Sequence, residues 1–140
     1  MKRTAVVLAA LLAVLTPIPQ ATAGSDTIEY RGRTQQDRKL EFRLVERTGG
    51  PRLRWVRVHF RAHCEDGTFS DGISSETFQP AIALDDGHVD IRTHIGRIVG
   101  TFWPNHASGE IRVVLVSFGP GDDRVCRTPW LDWTARRRTA

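Results

Sequence analysis

Beyond its first two dozen residues this sequence has no apolar run long enough to cross a bilayer, which takes about 20 residues. It has no Gly-x-Ser-x-Gly elbow and no P-loop, so neither an α/β-hydrolase nor a nucleotide-binding site can be read from a motif. The oxygen-ligand spacing of an EF-hand is missing. No repeat, linker or low-complexity block divides the chain, and no long helical period runs through it. Lysine is nearly absent, with Lys39 the only one after Lys2. The arginine excess is of the kind that genomic base composition produces. The formal charge is +4, but Lys2 and Arg3 belong to the leader, so 20 Lys and Arg less these two, against 16 Asp and Glu, leave +2. Both signs are scattered, and without a clustered basic stripe no nucleic-acid partner is expected.

What is present begins with an address. Lys2 and Arg3 precede an apolar run from Ala5 to Leu15, roughly 11 residues and too short to span a bilayer. Pro17, Pro19 and then Ala21-Thr22-Ala23, a small-x-small cleavage pattern, follow it. Residues 1–23 are therefore expected to be a cleaved signal peptide, with residues 24–140 a single exported domain and no membrane span. No cysteine stands at the cleavage point to carry a lipid. About 117 residues remain, enough for one core. Cys64 and Cys126 are the only cysteines. In an oxidising compartment an even pair favours one disulfide, worth roughly 4 kcal/mol for a loop of about 60 residues. A nucleophilic or metal-binding thiol would instead have to stay reduced outside the cell.

The mature sequence alternates in steps of two. Ile28 and Tyr30 share a face, as do Leu40, Phe42 and Leu44, and then Val56, Val58, Phe60, Ala62 and Cys64. Leu53 and Trp55 fall on the opposite parity, which predicts a bulge near Trp55. Glu65-Asp66-Gly67, Ser70-Asp71-Gly72 and Asp85-Asp86-Gly87 read as tight turns, because glycine and aspartate tolerate positive φ. Ile111 to Phe118 is apolar on both faces and reads as a covered central strand. Gly119 to Asp123 reads as a turn, Val125 and Cys126 as the start of the last strand, and Arg136 to Arg138 as a solvated tail. Eight or nine short strands at this spacing predict an all-β domain, an antiparallel sandwich or small barrel.

Tyr30-Arg31-Gly32-Arg33-Thr34, the mid-chain Cys64, Gly96-Arg97-Ile98-Val99-Gly100-Thr101-Phe102 and the closing Cys126 with Trp133-Thr134-Ala135-Arg136 resemble small secreted β-proteins of high-GC Gram-positive bacteria. That resemblance implies an exported location and an all-β fold, and it supplies no catalytic residues.

The most distinctive candidate site is the row Arg57, His59, Arg61 and His63. Alternate strand residues share a face, so these side chains form a line that suits an anionic polymer, with the histidines adding charge as the medium acidifies. The competing reading is a solvated face balanced by carboxylates, with Glu41 and Glu110 as partners. His59 and His63 have a His-x-x-x-His spacing, but on a strand they lie about 13 Å apart and cannot share one zinc ion without distant partners such as His94 or His106. Asp85, Asp86, Asp90, Asp122 and Asp123 lack calcium-loop spacing. No metal, cofactor or catalytic residue is expected. Of the four tryptophans, Trp133 is expected to pack by the disulfide, while Trp103 and Trp130 are the candidates for exposed stacking on a sugar or partner. The leading expectation is a non-catalytic binding module at or outside the cell envelope, with an anionic or glycan ligand or a protein as its partner. The alternatives are a small secreted hydrolase whose residues converge only in three dimensions, and an inhibitor presenting a loop such as Gly119 to Arg124.

Overall fold

The computed structural model of the protein describes residues 26–117 and 124–139. Nine strands run through them: β1 (Thr27–Thr34), β2 (Lys39–Arg47), β3 (Gly50–Cys64), β4 (Phe69–Ala83), β5 (His88–Thr93), β6 (Gly96–Phe102), β7 (His106–Ser117), β8 (Arg124–Arg127) and β9 (Leu131–Arg137). No helix among the described residues is long and apolar enough to cross a membrane. All the pairings are antiparallel, and six strands close a barrel in the order β3-β2-β1-β9-β7-β8 and back to β3. The other three lie outside the ring, β4 on the far edge of β3 and β6 with β5 on the far edge of β7.

Closure depends on the shortest strand. β8 pairs Val114 to Ser117 of β7 on one flank, but only His63 and Cys64 of β3 on the other. The Cys64–Cys126 disulfide joins two directly opposed residues of that seam, 3.9 Å apart at Cα. The expected last strand is thus split. β8 carries Cys126, Thr128 bonds Val113 through its N–H and its hydroxyl, and β9 resumes after Pro129.

The alternation sends one parity into a single core. Leu40, Phe42, Leu44, Val56, Val58, Ile98 and Leu131 are fully buried. Phe42 packs on Trp133 with ring centroids 4.7 Å apart, and Phe102 completes that cluster. The Trp133 ring lies over Gly100 and Gly109, where a Cβ would stand 2.4 and 2.9 Å from Cζ2. The expected bulge is there: register slips between Leu53 and Trp55, so Leu53 turns into the core while Trp55 stays half-exposed on the outer face.

Three expectations need correction. Ser70-Asp71-Gly72 is not a turn but part of β4; Gly72 leaves room for the Phe60 ring, which would sit 2.8 Å from a Cβ there. A glycine serves close packing as readily as positive φ. Arg136 and Arg137 are not a tail, since they pair with Arg31 and Tyr30 in β9. β7 is central by its pairings but covered on both faces only in part, because Val116 is 49% exposed.

The polar stretch after β1 has a structural role. Gln36 sits on the β3 edge between the last β2 pair and β8; its Nε2 donates to Arg61 O at 2.8 Å, and its Oε1 accepts from Arg61 N at 3.0 Å. One side-chain amide thus replaces a missing strand residue. Gln35 does the same for β9, donating its backbone N–H to Asp132 O and accepting from Asp132 N through Oε1. Gln36→Ala is expected to cost about 1 kcal/mol, since water replaces the exposed bonds. The Arg61 amide should then exchange hydrogen faster than its β3 neighbours, and unchanged exchange there would show the clip to be unimportant.

Candidate functional site

β3 delivers the row in the geometry its alternation dictates. Val56, Val58, Phe60, Ala62 and Cys64 are buried, while Arg57, Arg61 and His63 are exposed and His59 half-exposed on the opposite face. From Arg57 to His63 the line runs roughly 20 Å along the strand. Gln36 clamps the β3 backbone at Arg61.

Charge on this face is not balanced as a solvated sheet would be. Glu41 lies directly across from Arg57, yet its carboxylate is engaged by Arg31 at 3.1 Å. Asp71 lies across from Arg61 and is held by Arg38 at 2.9 Å. Glu110, the other expected partner, is on β7 opposite Val99 and Asp132 and does not border β3. Among the described residues Arg57 and Arg61 therefore have no carboxylate partner, whereas Arg31, Arg33, Arg38, Arg43, Arg97 and Arg127 each have one.

Aromatic rings take the place of those partners. Arg43 and Arg57 both lie over the Trp55 ring, at 4.6 and 4.9 Å from its centroid. Arg61 lies over Phe69 at 4.7 Å, and His63 meets the same ring edge-on at 5.2 Å. Phe69 is 59% exposed and Ile73, across from His59, is 62% exposed. A cation over an aromatic face is oriented without being neutralised, so its N–H groups stay directed at solvent. Beside Trp55 lies a shallow groove of about 710 Å³, lined also by Arg43, Arg54 and Thr77.

Trp55, Arg43 and Phe69 were missing from the residues singled out by sequence. For Trp55 the signal was present, because a tryptophan on the polar parity of a strand must face outward unless the bulge turns it. Phe69 and Arg43 come from neighbouring strands whose register the alternation does not reveal.

Trp103 and Trp130 are exposed as expected, at 42% and 37%, but the fold does not bring them to this face. Trp103 follows β6 and stacks on His106 at 4.6 Å, and its carbonyl accepts from Tyr30 Oη at 2.7 Å. Burial pushes the Tyr30 phenol above its ordinary range, with Arg137 pulling the other way, so it stays a donor. Trp130 lies between β8 and β9, under Arg97 at 5.8 Å. Trp133 is buried with Phe42 and Phe102.

His59 and His63 have Ile73 and Phe69 as their cross-strand neighbours on β4, and among the described residues no carboxylate bonds either of them. No group of three or more His, Cys, Asp or Glu side chains able to hold a metal occurs among the described residues. Asp90 is held below the usual carboxylate range, first by the hydrogen bond from Arg97, which grips both its oxygens at 2.7 and 2.8 Å. The leader, Asp122, Asp123 and residues 119–123 of the loop considered for an inhibitor lie outside the described residues. Comparison with protein-family models, with curated proteins and with solved structures gives no match for the chain.

Proposed function

We propose that this protein is an exported, non-catalytic binding module whose β2–β3–β4 face holds an acidic polysaccharide at or outside the cell envelope. One observation carries the reading: Arg57 and Arg61 have no carboxylate partner among the described residues and are mounted on the half-exposed ring of Trp55 and the exposed ring of Phe69. Guanidinium groups with free N–H faces make short, charge-assisted bonds to sulfate, phosphate or carboxylate oxygens. The exposed Phe69 and Ile73 add apolar surface beside these cations that suits a sugar ring, so a polymer carrying both kinds of group fits better than a simple ion. An open strip roughly 20 Å long follows a chain rather than enclosing a small molecule. The Cys64–Cys126 disulfide and the pattern of residues 1–23 support export.

Arg57→Ala with Arg61→Ala is expected to weaken binding to sulfated dextran by about a hundredfold or more, since each of the two lost charge-assisted bonds is worth about 1.5–3 kcal/mol. Affinity electrophoresis on sulfated and neutral dextran would measure it, with circular dichroism confirming the fold. Arg92→Ala with Arg112→Ala removes the same charge elsewhere and serves as the control. Equal losses in the two double variants would mean non-specific attraction and would overturn the assignment of this face.

A further inference from the structure

A second cationic surface lies on β1, β9 and β7. Their registers place residues in three successive ranks across the strands: Arg31, Arg136 and His106; then Gly32, Ala135 and Ala107; then Arg33, Thr134 and Ser108. The middle rank is all small, and there β1 and β9 approach so closely that a Cβ on Gly32 would meet the Thr134 carbonyl oxygen at 1.8 Å. The outer ranks and Asn105 border a groove of about 630 Å³, and no carboxylate lines it.

The first rank is electrostatically unfavourable as it stands. Arg136 is directly opposite Arg31 on one side and His106 on the other, and the two guanidinium groups in cross-strand register repel. Arg31 is relieved by Glu41, and Arg33 in the third rank by Asp37. Arg136 has no carboxylate partner among the described residues, and His106 is held only by its stack on Trp103. Further along the same strands Glu110 and Asp132 face each other, which confines any anion to the Arg136 end. The Asn105 amide and the hydroxyls of Ser108 and Thr134 add hydrogen-bond donors around the cations.

We infer that this groove is a second binding site, taking a sulfate, phosphate or carboxylate group borne on a hydroxylated scaffold such as a sugar. Arg31 of the groove is directly across from Glu41, and Glu41 from Arg57, so the groove lies two strands from the β3 strip on the same outer surface, with Glu41 between them. Each can then hold a short anionic chain of its own, and a long one can run across both. That joint occupancy rests on the function proposed for the β3 face, whereas the groove stands without it.

Calorimetric titration of the whole chain with short sulfated dextran oligosaccharides tests both surfaces, with Arg57→Ala, Arg61→Ala as one variant and Arg136→Glu as the other. Two equivalents for the wild type and one for each variant is the expected result. Arg136→Glu is also expected to raise the melting temperature of the ligand-free protein, because a carboxylate across from Arg31 replaces repulsion by attraction; Arg136→Gln should lose the equivalent with a smaller rise. A single wild-type equivalent that survives Arg136→Glu would overturn the groove and leave the β3 face standing. A single equivalent lost only in Arg136→Glu would do the reverse, and no binding at all would remove both. Glycerol-phosphate and galacturonate oligomers in parallel titrations identify which anion the groove prefers.

Discussion

Replacing Cys64 and Cys126 with alanine is expected to lower the free energy of unfolding by about 4 kcal/mol. The bond closes a loop with a sequence separation of 62 and sits on a seam of only two strand pairs. Every other junction of the ring has four or more pairs. Without the bond, β8 would have to hold β3 by His63 and Cys64 alone. Both sulfurs are buried, so alanine also leaves a small void on each side. Urea titration of the oxidised wild type and the double variant would measure the difference. A loss below about 1 kcal/mol would show that strand pairing closes the ring unaided.

The second large effect concerns Trp133. Trp133→Ala should cost about 3–5 kcal/mol, since it empties the space between Phe42, Phe102 and two glycines. Its indole Nε1 is buried and has no hydrogen-bond partner, so Trp133→Phe loses volume without orphaning a bond. That allows a discriminating experiment. At Gly100 the Cβ of an alanine would collide first with the Trp133 ring, whereas at Gly109 it would stand 2.0 Å from the Val99 backbone oxygen. Trp133→Phe should therefore rescue Gly100→Ala in part, with a coupling of about 1 kcal/mol, and should not rescue Gly109→Ala. Equal coupling at both sites would mean that β6 and β7 can shift, and the account of this core would fail.

Much of this architecture is visible in the sequence because a strand buried on one face writes its period directly. Val56 to Cys64 shows both the core side and the cationic side of β3, and the parity clash at Leu53 and Trp55 announces the bulge. Ring closure is not visible. Nothing local tells Leu115 and Cys64 that both will border Cys126, because pairing is set by packing between segments far apart in the chain. The groove on β1, β9 and β7 is hidden for the same reason: Arg31 and Arg136 become neighbours only through the register of the first and last strands. Ser70-Asp71-Gly72 misleads because composition does not say which property of glycine is in use. Glu110 was matched with the β3 row on charge alone, and the topology assigns it to another side of the barrel.

The order of the strands also has a consequence in time. Thr34 pairs with Trp133, so one flank of the first strand stays open until nearly the last residues have been made. Contacts of such long sequence separation form late and slowly. A growing chain therefore cannot close the ring until its C-terminal strand has been made.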